Sequence, residues 1–166
     1  MSELESIPEE LRIALRVPLI ASSKEFQDVW YVQRYLMRLK ARQMLTHEIR
    51  KYCDDDVKEK ILQDENEYLG IILRHALKRI LAYLRTRDYD FCICAYLSKD
   101  PYLPRWEGIT ILINTTYRNF RERMRIWREI EQQLTELFNQ FRRNDSRNLE
   151  KIDEANEIIA TTVEKL

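Results

Sequence analysis

The runs FCICAYL at residues 91–97 and WEGITILIN at residues 106–114 decide the fold of this chain. In the second run Ile109, Ile111 and Ile113 share one face, which is the period of two that a β-strand requires. The first run is apolar on both alternating faces, so it predicts a strand that is at least half covered on each side. Between them Pro101 and Pro104 lie in a polar loop, and strand, loop, strand predicts an antiparallel ribbon over residues 89–115. An isolated pair of strands is marginal in water. The ribbon therefore needs helices over it, or an extension of the sheet through a partner chain.

Downstream, residues 116–143 return to helical period, with Thr115 or Thr116 placed to cap a helix from Tyr117 to Phe141. Phe120, Met124, Trp127, Leu134, Leu137, Phe138 and Phe141 mark its expected apolar stripe. Arg142 to Ser146 break it. A final helix is expected over residues 148–166. In it Leu149, Ile152, Ile159, Val163 and Leu166 are spaced close to heptad fashion, a seam suited to docking or self-association.

Upstream, residues 24–88 read as a helical hairpin. Ser22 and Ser23 precede a helix over residues 24–52, whose apolar stripe runs through Phe26, Val29, Val32, Leu36 and Leu39, then Leu45, Ile49 and Tyr52. Asp54, Asp55 and Asp56 interrupt it, and three aspartates suit a turn and the positive end of the next helix better than a helix interior. The period resumes from Val57 to Arg85, with Gly70 marking a close approach to the preceding helix. Residues 1–23 read as an N-terminal arm with a short helix over Pro8–Leu15, ended by Pro18. With 166 residues and only two glycines, the expectation is one mostly helical α+β domain with few tight turns.

Composition narrows the classes of function. The formal net charge is zero, which removes a long-range pull toward nucleic acid or membrane. Charge is nonetheless segregated: +4 over residues 24–52, −5 over 53–68, +4 over 69–88, +3 over 116–143 and −3 over 144–166. Matched faces within the fold or across an oligomer account for such runs. Three cysteines make no disulfide framework, the acidic opening lacks the basic region of a secretory signal, and no apolar run spans a bilayer. A cytoplasmic protein is expected.

Few constellations carry chemistry. Arg118, Arg121, Arg125 and Arg128 recur at three, four and three, so they share one helix face, a fixed array of donors suited to phosphate. Glu122 and Glu129 stand four residues after Arg118 and Arg125, the spacing of intrahelical ion pairs. Arg34, Arg38 and Arg42 form a similar row on the first helix, and Arg74 with Lys78 on the second. Cys92 and Cys94 share one strand face and Cys53 lies at a helix boundary; they read as free thiols rather than zinc ligands. Phosphate-binding loops, nucleophile elbows and zinc-protease motifs are missing, and Glu107 is a single carboxylate rather than an acid–base pair. Neither metal nor cofactor is expected.

The stretch Arg42-Gln43-Met44-Leu45-Thr46-His47 resembles the arginine, four residues, histidine motif of HEPN-type ribonucleases, and Gln43 matches the polar second position of that motif. The resemblance implies a helical protein in which two copies meet at a dimer interface. The context departs from the family, since the motif lies inside the first long helix rather than in a late helix of a four-helix domain. The strand pair is a second departure. The reading that follows is a non-enzymatic interaction or assembly protein, self-associating or held in a larger complex. A nucleic-acid-associated factor using the arginine faces is the alternative, and a HEPN-like ribonuclease the second alternative.

Overall fold

The computed structural model describes residues 24–166, and the expected arm helix over Pro8–Leu15, the stop at Pro18 and the serine cap lie outside the described residues. The chain divides into two compact units, Met1–Gln43 and Met44–Leu166, where the sequence suggested no boundary. The fold is mostly helical α+β.

Helix α1, Lys24–Met44, carries the first unit's described residues. Its expected stripe is not buried: Val29, Val32 and Leu36 are 56%, 42% and 55% exposed. Trp30 and Tyr31 meet edge to face, and the Arg34 guanidinium lies over the Trp30 ring.

In the second unit the order is α2 His47–Tyr52, α3 Asp55–Ile61, α4 Glu67–Thr86, β1 Phe91–Asp100, β2 Leu103–Thr115, α5 Phe120–Asn144, α6 Leu149–Ile158 and β3 Ile159–Lys165, with single 3₁₀ turns before α4 and α6. The long helix expected over residues 24–52 is thus two helices, because Thr46 is extended and starts α2 afresh. The aspartate run behaves as its chemistry dictates: Asp54 caps α3 by accepting from the Val57 N–H at 2.9 Å, and Asp55 and Asp56 occupy its first turn. The Asp54 N–H also donates to the Ala95 carbonyl, and Cys53 bridges to Ala95, which covers part of the free edge of β1.

Helix α4 is the hub. Leu69, Ile72, Leu73, Ala76, Leu77, Ile80 and Leu84 are buried along it, and α2, α3, α5 and α6 all pack against it. A Cβ on Gly70 would overlap the Met44 methyl and press on Ile61, so that position does mark a close approach. The helix ends where Asp88 adopts φ 56° and the Tyr89 N–H returns to the Leu84 carbonyl, a left-handed stop that asparagine, aspartate and glycine tolerate best.

The ribbon forms as expected, Phe91 opposite Thr115 and Leu97 opposite Ile109, antiparallel. It is not a two-stranded ribbon, however. Residues 159–165, expected as helix, form β3 and pair in parallel with β2, from Ile109 opposite Ile159 to Thr115 opposite Lys165. The third strand is therefore supplied by the same chain, after the crossover through α5 and α6 that a parallel pair requires. Ile93, Ala95, Ile109, Ile111, Ile113, Ile159 and Val163 face inward and join α4, α5 and α6 in one core. The other face carries Cys92, Cys94, Thr110, Leu112 and Ala160, and it stays partly or fully exposed.

Candidate polyanion-binding face

Helix α5 begins at Phe120 rather than Tyr117, because Thr115 is spent in β2, where its buried hydroxyl donates to the Asp90 carbonyl. Asn119 is the cap instead. Its side chain accepts from the Glu122 N–H at 2.9 Å, and the Glu122 carboxylate accepts from the Arg118 N–H, one residue before the cap, at 2.8 Å; the two bonds fix the first turn. The buried stripe runs through Ile126, Ile130, Leu134, Leu137 and Phe138. Leu134, Leu137 and Phe138 fall where the sequence placed them, and Met124, Trp127 and Phe141 are half-buried. Phe120 is a correction: it is 68% exposed.

The flanks of α5 are tied down. On one side the Arg123 Nε donates to the Val163 carbonyl at 2.6 Å and the Trp127 Nε1 to the Thr161 carbonyl at 3.3 Å, so these side chains cap outward-facing carbonyls of the edge strand β3. On the other, Arg79 of α4 donates to Gln133 and Gln140 and pairs with Glu136 at 3.9 Å. What remains open is the arginine row.

Arg118, Arg121, Arg125 and Arg128 are all exposed, but Arg118 precedes the helix, so only the last three share a face of α5. The carboxylates that share their helix are engaged elsewhere. Glu122 accepts from backbone, Glu129 accepts from the Tyr83 hydroxyl and pairs with Arg87 at 3.7 Å, and Glu131 accepts from the Thr161 hydroxyl. Glu136 pairs with Arg79. Among the described residues, none of the four arginines has a carboxylate within ion-pairing distance. Arg125 donates to the Tyr89 hydroxyl at 3.3 Å. That phenol, followed by Glu129 and Glu122, holds the Arg125 guanidinium above its ordinary value, so it stays charged. Burial, then the bond to Glu129, pushes the Tyr83 phenol up, and it remains a neutral donor. A shallow hollow of about 560 Å³ lies along this face, lined by Phe120, Arg121, Met124, Arg125, Arg128, Glu129 and Gln132.

The remaining candidates are placed as follows. Ile152, Ile159 and Val163 of the expected seam are buried inside this chain, on α6 and β3, while Leu149 and Leu166 are exposed. The heptad register does not exist, because the helix stops at Ile158. Arg42 lies in the last turn of α1 and His47 opens α2, so the stretch resembling the ribonuclease motif spans a helix break and the boundary between the two units. Arg34 and Arg38 are exposed on α1. Arg74 contacts His75 at 3.3 Å, and the half-buried His75 ring stands edge-on to Phe141. Burial, then the charges of Arg74, Lys78 and Arg79, lowers the affinity of that imidazole for a proton. Glu107 is half-buried and pairs with Lys60 at 3.3 Å.

Cys53 is buried, and desolvation pushes its thiol up to about 12, so it is inert; Cys92 and Cys94 are exposed on the open sheet face. Among the described residues no three His, Cys, Asp or Glu side chains come together to hold a metal ion, and no helix is long and apolar enough to cross a membrane. No protein-family model, no curated protein and no solved structure matches this chain.

Proposed function

We propose that the chain is a non-catalytic binding protein whose arginine face on α5 takes a polyanion, with nucleic acid as the ligand class. One observation carries this reading. Arg121, Arg125 and Arg128 share a rigid helix face, with Arg118 just ahead of it, and every carboxylate of that helix is held by another partner. An arginine row neutralised by its own glutamates would be ordinary surface pairing. A row without ion pairs to its own glutamates is a fixed array of charge-assisted donors, and guanidinium geometry matches phosphate oxygens in bidentate fashion. Because the whole chain is neutral, attraction is local and falls within about a Debye length, roughly 10 Å at moderate salt.

Binding of fluorescent mixed-sequence RNA and DNA at rising salt tests the reading. With as many as four phosphates contacted, log affinity should fall against log salt with a slope of about −3. The double substitution Arg121→Glu with Arg125→Glu should abolish binding. Affinity absent at the lowest salt, or unchanged by that double substitution, overturns it.

A second reading, assembly as a homo-oligomer or as a subunit of a larger complex, is supported by α1. Val29, Val32 and Leu36 recur at three and four and are exposed, with Trp30 and Met37 exposed on the same helix. An apolar stripe of this kind is what helix-in-groove and helix-pairing interfaces use. Light scattering after size exclusion tests it: self-association abolished by Leu36→Glu supports the reading. A monomer at micromolar concentration that copurifies with nothing sinks it.

A further inference from the structure

We propose that the polyanion taken by α5 is single-stranded, with a base stacked on Phe120 while Arg121, Arg125 and Arg128 hold the phosphates on either side. This rests on the polyanion reading above and adds to it the kind of nucleic acid and the residue that selects it.

An exposed phenylalanine by itself means little, since scattered apolar residues are normal on protein surfaces. Its neighbours change its meaning. Phe120 is 68% exposed, adjoins Arg121 in sequence, and shares one hollow with Met124, with Arg121, Arg125 and Arg128, and with Glu129, whose carboxylate is held by Tyr83 and Arg87. An aromatic face beside a cationic track is the combination by which proteins hold single strands: phosphates meet the charges and bases stack on the ring. From Arg121 to Arg128 the helix rises about 10 Å, which gives a straight track of three charges. Gln132, one turn beyond Arg128, adds an amide able to donate and accept at the edge of the hollow.

The packing of α5 argues against a duplex ligand. A recognition helix must project from its domain to enter a major groove about 12 Å wide. This helix cannot project, because Arg123 and Trp127 fasten one flank to β3 and Arg79 fastens the other to α4. Only its outer face is available, and a flat face suits a flexible strand that can splay its bases toward the ring. An acidic peptide would satisfy the arginines but would leave the aromatic ring unused.

The experiment compares three probes at one salt concentration: a short mixed-sequence single strand, the same sequence as a duplex, and inorganic polyphosphate, which has charge but no bases. Wild-type protein should bind the single strand more tightly than the duplex. Phe120→Ala should lose roughly 10- to 100-fold on the single strand, the weight of one base–aromatic stack, and nothing on polyphosphate. Phe120→Trp should restore single-strand binding. Phe120 is solvent-exposed, so these variants should keep the wild-type circular dichroism, which is recorded alongside.

If Phe120→Ala leaves single-strand affinity unchanged while the double arginine reversal abolishes it, stacking is wrong and the polyanion reading survives. Duplex affinity equal to that of the single strand likewise overturns the stacking proposal. If neither variant matters, both readings fall. An acidic peptide that binds as tightly as the single strand, and loses as much on Phe120→Ala, replaces the nucleic acid with a protein partner.

Discussion

Helices α1 and α5 are built from the same materials and end up in opposite states. Each has apolar residues at intervals of three and four, and each carries arginines at the same intervals on another face. In α5, Ile126 and Ile130 are fully buried and Leu134 and Leu137 nearly so. In α1, Val29, Val32 and Leu36 face solvent. Amphipathic spacing states which side of a helix is apolar, and does not state what covers it. Coverage comes from tertiary partners: for α5 these are α4, α6 and β3. The same contrast governs the charges. On α5, tertiary contacts draw the glutamates away and leave arginines open, which helix-local spacing would have paired.

The sharpest way to break this comparison is to cut each stripe in turn. Ile130→Ala should lower unfolding stability by about 2–5 kcal/mol, since it removes fully buried carbons from a packed core. Leu36→Ala should change it by less than about 0.5 kcal/mol in dilute protein. Urea denaturation of both variants measures the difference. Equal losses would mean that α1 is covered in solution. A Leu36 effect that grows with protein concentration would make a second chain the cover, because association adds stability by mass action.

Next in size is the contact that keeps Glu129 away from the arginine row. Tyr83→Phe removes the hydroxyl that donates to Glu129, and should cost about 1–3 kcal/mol as a hydrogen bond to a charged group. Its signature is pH dependence. Burial holds the folded phenol above its ordinary value of 10.0, so its contribution is complete below pH 10 and is lost as the unfolded phenol ionises above it. The stability gap between wild type and Tyr83→Phe should therefore narrow as pH climbs beyond 10. Glu129, then held only by Arg87, stands four residues from Arg125, and pairing with it should weaken polyanion binding. Unchanged binding would show that Glu129 is not what leaves the row open.

These contrasts also mark what was legible in the chain. The strand over 106–114 could be read because Ile109, Ile111 and Ile113 recur with a period that helices do not share, and that over 91–97 as a short apolar run closed by a proline-containing loop. Strand β3 could not be read the same way. Ile159 and Val163 are four apart, an interval that satisfies one helical turn and two strand repeats equally. The surrounding Thr161 and Thr162 carried the β-branched signal that would have tipped it. Once β3 exists, the seam through Ile152, Ile159 and Val163 closes inward on the core. At the candidate site the arginine row was legible as a helix face, whereas its freedom was not. Tyr83, which holds Glu129, lies 46 residues away along the chain. No local spacing reveals such a contact.

A smaller effect separates the entry of α5 from its body. Asn119→Ala removes the cap that accepts from Glu122, and should cost about 0.5–2 kcal/mol. Because Phe120 is the first residue of the helix, loosening this turn should also reduce single-strand binding while polyphosphate binding at Arg125 and Arg128 stays intact. Equal loss on both probes would place the fault in the whole helix rather than in its first turn.

The smallest effect runs in the opposite direction. Arg121 and Arg125 are one helical turn apart and neither is ion-paired with a described residue, and like charges at that spacing destabilise a helix by roughly 0.2–0.5 kcal/mol. Arginine and glutamine have similar helix propensity. Arg121→Gln should therefore raise stability by about that amount at low salt, and the gain should vanish at high salt where the repulsion is screened. An ordinary surface arginine, paired with its neighbours, would show the reverse: a small loss at low salt. The sign of the change in low-salt denaturation thus distinguishes a row kept open for a ligand from one that balances the surface, and it does so without any ligand present.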